Sequence, residues 1–122
     1  MPASEPSSAF RRVDGVAEYR FTNAARSDLR CIGQYTLDNW DLRQYDEYIG
    51  GLETYCQRLA DMPVLGRPYR RPPYQWSRYV SHVVYFRRKD DGDIVVVRIL
   101  GKKMKPELHF DPSTDDDFDE DA

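Results

Sequence analysis

Two amphipathic stripes separated by about two residues constrain this chain more than any other feature. Ala25, Leu29, Ile32, Thr36 and Trp40 recur at helical spacing, with Arg26, Asp28, Arg30 and Asp38 off the stripe. Tyr45, Ile49, Leu52, Cys56 and Leu59 form a second stripe, and Met62-Pro63 closes it, because the residue before proline is pushed out of helical geometry. Thr22 stands where the first helix needs an N-cap, and Asp41-Leu42-Arg43-Gln44 reads as a capping box for the second. Helices joined by so short a link must run antiparallel, as a hairpin. Gly50-Gly51 breaks the propensity of the second helix and predicts a close helix–helix approach there.

What surrounds the hairpin reads as sheet. Tyr19 to Thr22 alternates as a short first strand, and Gly66 to Pro73 is an irregular, proline-punctuated connector. Gln75–Tyr79 and Ser81–Arg88 are rich in aromatic and β-branched residues. Lys89 to Asp93 carries an Asp-Gly turn, and Ile94–Leu100 is apolar on both faces except at Arg98, as a mid-sheet strand is. Gly101 stops that strand before a basic exit, Lys102-Lys103-Met104-Lys105-Pro106. The expected fold is therefore α+β: a short N-terminal strand, then an antiparallel two-helix hairpin packed on a three- to four-stranded antiparallel sheet. It occupies residues 18–110, between a Pro/Ser-rich leader at 1–17 and an acidic tail at 111–122, both expected to be disordered. The mean hydropathy of −0.77 fits such unfolded flanks.

Charge is segregated along the chain. Residues 67–110 hold eleven basic and four acidic side chains, a balance of +7, whereas residues 111–122 hold seven acids and no base. The net charge of −3 hides this contrast. Arg70-Arg71-Pro72-Pro73-Tyr74-Gln75-Trp76-Ser77-Arg78-Tyr79 interleaves arginine with aromatics, the composition of a surface that grips an anionic or protein partner. The acidic tail reads as a screen for that basic half, displaced when a partner arrives.

Catalytic motifs are missing from the sequence. It holds no glycine-rich phosphate loop, no His-x-x-x-His and no Cys-x-x-Cys. His82 reads as a structural hydrogen-bonding residue, and Cys31 and Cys56 as buried, inert thiols of a reducing compartment. No metal or other cofactor is expected. No apolar run reaches the length of a membrane span, and the N-terminus lacks the apolar core of a signal peptide, so the expected location is the cytoplasm.

Several segments together resemble the ParE toxins of the RelE/ParE superfamily. They are Tyr19-Arg20-Phe21-Thr22-Asn23-Ala24-Ala25 with Asp28-Leu29, Ile32, Tyr35 and Trp40; Leu59-Ala60-Asp61-Met62-Pro63-Val64-Leu65-Gly66-Arg67; Ser81 to Arg87; and Ile94 to Leu100 with Met104. The resemblance covers roughly residues 18–110. It implies the toxin of a type II toxin–antitoxin pair of the plasmid-stabilising kind, neutralised by a ParD-like antitoxin. DNA gyrase is the implied target, and operator DNA is reached only through the antitoxin. It also implies inhibition by binding, without an intrinsic catalytic centre. Arg67, Arg87 and Arg98 fall on recurrent family positions, and with Arg70, Arg71, Arg78, Lys102, Lys103 and Lys105 they are the candidate target or antitoxin contacts. Gly101 departs from the histidine that relatives often carry. The alternatives are a RelE-like ribosome-dependent messenger endonuclease, with Arg70, Arg71, Arg78, Arg98 and Lys102 on phosphate, and a non-toxic antitoxin-binding module.

Overall fold

Three residues of strand, β1 (Tyr19–Phe21), lead directly into helix α1 (Asn23–Asn39). Helix α2 (Leu42–Asp61) returns antiparallel to it, and a short 3-10 turn (Pro63–Leu65) leads into β2 (Arg67–Pro68). Strands β3 (Tyr74–Tyr79), β4 (His82–Arg88) and β5 (Ile94–Gly101) follow as a meander, and a single helical turn, α3 (Pro106–His109), comes last. The computed structural model describes residues 17–70 and 73–109. Most of the expected leader, the acidic tail and Arg71 lie outside the described residues.

The expected hairpin on a sheet is present, with both predicted caps. Thr22 Oγ1 accepts the Ala25 amide at 3.1 Å, and Asp41 Oδ1 accepts the Gln44 amide at 2.9 Å. The sheet has five strands rather than three or four, in the order β1-β5-β4-β3-β2. It is mixed rather than antiparallel, because β1 pairs parallel with β5 while the other pairs are antiparallel. The helical hairpin delivers the chain to the far edge, and the meander then walks back until β5 reaches β1. The fifth strand comes from the supposed connector, where Arg67 and Pro68 pair with Trp76 and Gln75. A proline there suits an edge strand, whose amide needs no partner.

Strand β5 is buried on both faces, as its composition requires. Ile94, Val96 and Ile99 join Val84 and Phe86 beneath Ala25, Ile32, Leu52, Cys56, Leu59 and Ala60 of the helices. Val95, Val97 and Leu100 face the other way with Tyr74 and Tyr85. Each large apolar side chain so buried contributes about 1.5–3 kcal/mol.

Because β1 is so short, the β5 edge beyond Val96 would stand open. A register shift in the β4–β5 ladder takes Tyr85 opposite Arg98 and Phe86 opposite Val96, leaving Val97 without a ladder partner. Helix α1 fills this gap. Thr22 donates its amide to the Val96 carbonyl at 3.0 Å and its hydroxyl to the Val97 carbonyl at 2.9 Å. Asp28 Oδ2 accepts the Ile99 amide at 2.8 Å. The same carboxylate takes Arg98 in a fork, Nε at 2.8 Å and Nη2 at 2.9 Å. Side-chain exposures of 19% for Arg98 and 12% for Asp28 put this pair in a different class from surface ion pairs.

Two details differ from the sequence reading. The tight approach at Gly51 is to the sheet, where a Cβ would strike the Tyr79 hydroxyl, and Gly50 faces open space. The helix–helix contact falls instead at Gly33, whose added Cβ would lie 2.8 Å from the Tyr45 ring. Cys31 is exposed on α1, one position short of the buried Ile32, and Cys56 alone is buried.

Removing the Asp28 carboxylate strands both a guanidinium and a backbone amide. Asp28→Ala is expected to lower stability by about 3 kcal/mol, read as the urea-unfolding midpoint. Arg43→Ala, whose pair with Glu47 is exposed, costs under about 0.5 kcal/mol. Similar losses from the two substitutions would contradict the edge-sealing role of Asp28.

Candidate functional site

The antiparallel register places the arginines of the basic half on the sheet face turned away from the helices. Directly opposed residues share a face, so Arg67, Trp76 and Tyr85 form one row across β2, β3 and β4. Tyr74, Arg87 and Val95 form a second row, and Arg78, Val83 and Leu100 a third. The Arg67 guanidinium lies 5.9 Å from the centre of the Trp76 ring, a cation–π contact. The rings of Tyr69 and Tyr85 meet edge-on with centroids 5.6 Å apart. Burial, with Tyr69 and Glu107 adding to it, pushes the Tyr85 hydroxyl above its ordinary pKa.

The eight basic candidates among the described residues separate into distinct situations. Arg67, Arg78 and Arg87 share the outer face. Arg70 stands after β2 and pairs with Glu107 of α3 at 3.3 Å. Lys102, Lys103 and Lys105 are exposed on the turn between β5 and α3. Arg98 is held by Asp28, and its Nη1 also donates to the His109 carbonyl. The Asp28 hydrogen bond raises its pKa further, so Arg98 serves as a permanently charged tie.

Sequence reasoning passed over the other structural arginine. Arg88 Nη1 donates to the Ala60 and Gly92 carbonyls, at 3.0 and 2.8 Å, and Nη2 to the Leu59 carbonyl at 2.8 Å. It thereby satisfies carbonyls at the end of α2 that the helix itself cannot. A β-strand arginine one residue after a surface arginine gave no hint of this. Asp28 was equally silent in sequence, as one polar residue off a stripe.

A second feature lies at the tip of the helical hairpin. Tyr35, Thr36, Trp40, Gln44, Tyr48, Ser81 and His82 line an open cleft of about 260 Å³. Trp40 is exposed there despite its place in the helical stripe, and Tyr35 is exposed beside it. Val80, in the β3–β4 turn, holds φ at 50°, a strained conformation for a β-branched residue. The Ser81 amide donates to the Tyr48 hydroxyl at 3.3 Å. That hydroxyl in turn lies 2.7 Å from His82 Nδ1, within hydrogen-bond distance. Burial lowers the His82 pKa, with the Asp28 charge acting weakly against it.

None of these groups forms a catalytic set. Among the described residues no cluster of three or more His, Cys, Asp or Glu side chains could hold a metal ion. The buried Cys56 thiol is pushed up to about 12, by desolvation first and Glu53 second, and so is not a nucleophile at neutral pH. What the outer face can do is bind: fixed cations and flat rings complement an acidic polypeptide with apolar anchors. No helix among the described residues is long and apolar enough to cross a membrane.

The family model described as ParE toxin of type II toxin-antitoxin system, parDE, matches residues 19–106. The chain belongs to the ParE toxin family. It is 32% identical over 90 residues to Toxin ParE1 of Mycobacterium tuberculosis, which covers 72% of this chain and 92% of the relative. Toxin ParE1 of Caulobacter vibrioides is 28% identical over 94 residues, covering 75% and 96%. In fold, the chain is similar to a chromosomal ParDE system from P. aeruginosa, with a TM-score of 0.61 at 19% identity, over 70% of this chain and 96% of that one. The matched span contains every element from β1 to β5 and stops at the first residue of α3.

The His82 shift has a testable sign. A folded-state pKa below the ordinary 6.5 means that the unfolded chain takes up the proton first. The His82 contribution is present above about pH 6.5 and is lost as pH falls toward the folded pKa. Urea midpoints should decline below about pH 6.5 in this chain, and less steeply in His82→Gln. Parallel profiles for the two proteins would contradict the burial of a neutral ring.

Proposed function

We propose that this ParE-family chain is a toxin that inhibits DNA gyrase by binding it, and that a ParD-like antitoxin neutralises it. The single observation behind this reading is the outer sheet face, where Arg67, Arg78 and Arg87 stand among Trp76, Tyr74 and Tyr85. An inhibitor that acts by occupancy needs anchors and charge, and both are there. The antitoxin supplies an acidic segment with apolar side chains for this face, and reaches operator DNA on the toxin's behalf. The P. aeruginosa structure of a ParDE system, alike in fold, is consistent with such a partner. The site of action is the cytoplasm, where gyrase and the nucleoid lie.

The messenger-cleaving alternative loses one of its proposed phosphate contacts. Arg98 would have to leave Asp28 to reach a phosphate, at the cost of a largely buried ion pair.

Expression of the chain without an antitoxin should cause gyrase-linked DNA damage and filamentation, and the purified chain should inhibit supercoiling. The double variant Arg67→Glu/Arg78→Glu changes two exposed side chains and should keep its fold by circular dichroism. Its inhibition and its antitoxin affinity should both fall at least about tenfold, the equivalent of about 1.4 kcal/mol. Immediate translation arrest with cleaved messenger, or unchanged inhibition in the folded variant, would overturn the proposal.

A further inference from the structure

The acidic segment at 111–122, read above as a screen for the basic half, follows α3, which the family match barely enters. Helix α3 lies on the outer sheet face. Glu107 Oε1 is 3.3 Å from Arg70 Nη2, and its charge helps to raise the pKa of Tyr85 at the middle of that face. At the other end of this helical turn the His109 carbonyl is held by Arg98. The described chain thus ends at His109, beside Arg98 at the β5 edge of the sheet.

From there the chain continues with Asp111, Asp115, Asp116, Asp117, Asp119, Glu120 and Asp121, and one ring, Phe118. Arg67 and Arg78 stand opposite in charge, and Glu107 already sits beside Arg70. Reach is ample. Twelve residues extend to about 40 Å, whereas β5 to β2 is three strand spacings, about 14 Å.

We propose that residues 111–122 dock in cis on the outer sheet face, their carboxylates on Arg67 and Arg78 and Phe118 against the rings around Trp76. The segment thus occupies the surface assigned above to target and antitoxin, and either partner must displace it. Screening of charge weakens the docking, since exposed pairs lose most of their attraction once the Debye length falls from about 10 Å at 0.1 M salt to about 3 Å at 1 M. The docking shares its surface with the proposed toxin function but is read by contact, so its failure leaves that function standing and the reverse.

The test uses the full chain with Cys31→Ser and Ala122→Cys, a nitroxide at residue 122, and the two tryptophan indole signals observed by NMR. Trp76 reports the outer face, and Trp40, at the hairpin tip, is the internal control. In about 0.1 M salt the label should strongly broaden Trp76 and spare Trp40; about 1 M salt should restore the Trp76 signal. Arg67→Glu/Arg78→Glu should restore it at low salt, as should the chain with all seven acids changed to their amides. An unbroadened Trp76, equal broadening of both indoles, or broadening that survives the arginine reversal would overturn the proposal. So would broadening found only when labelled and unlabelled chains are mixed, which would place the segment on a second copy.

Discussion

The Asp28 carboxylate holds together three things that the chain brings from far apart. It accepts the Ile99 amide, forks onto Arg98, and belongs to α1, seventy residues away in sequence from that strand. The short β1 makes this necessary. Three residues of parallel pairing cannot cover an eight-residue strand, so the edge of β5 must be sealed by something else or stand as a template for another chain. Thr22 and Asp28 seal it with side chains, and in doing so they fix where α1 lies on the sheet. Arg98, turned toward Asp28, then holds the His109 carbonyl and carries α3 onto the opposite face.

That arrangement divides the basic half of the sequence into two populations. Arg98 and Arg88 act within the fold, one on a carboxylate and the other on the carbonyls that end α2. Arg67 and Arg78 are exposed on the outer face, on strands whose other side is anchored by contacts such as Tyr55 with Ser77 at 2.5 Å. A rigid sheet presenting fixed cations and rings loses little entropy on binding, which is what an inhibitor acting by occupancy requires. Membership of the ParE family fits a protein with this economy of parts: about ninety residues and one sheet.

Much of this was legible in the sequence because it depends on local patterns. The stripes gave the helices, Thr22 and Asp41 their starts, Met62-Pro63 the end of α2, and the Asp-Gly pair the β4–β5 turn, where Gly92 takes φ of 97°. What escaped was long-range. Parallel pairing of β1 with β5 has no local signature, and a two-residue edge strand inside a proline-rich connector is too short to show periodicity. The basic candidates were legible as a group, but their division was not. Arg87 and Arg88 are adjacent and chemically identical, and only the two-residue alternation of β4 sends one outward and the other to the end of α2. Cys31 escaped for a similar reason: one step of about 100° around α1 separates it from the buried Ile32.

The central claim is that the outer sheet face, and not the helical layer, is the surface this toxin uses. Footprinting with an arginine-selective reagent, in the presence and absence of the neutralising antitoxin, addresses it directly. The account predicts that Arg67 and Arg78 become protected in the complex, while Arg26, Arg30 and Arg43 on the helices react as in the free chain. Protection of the helical arginines with Arg67 and Arg78 still reactive would contradict it.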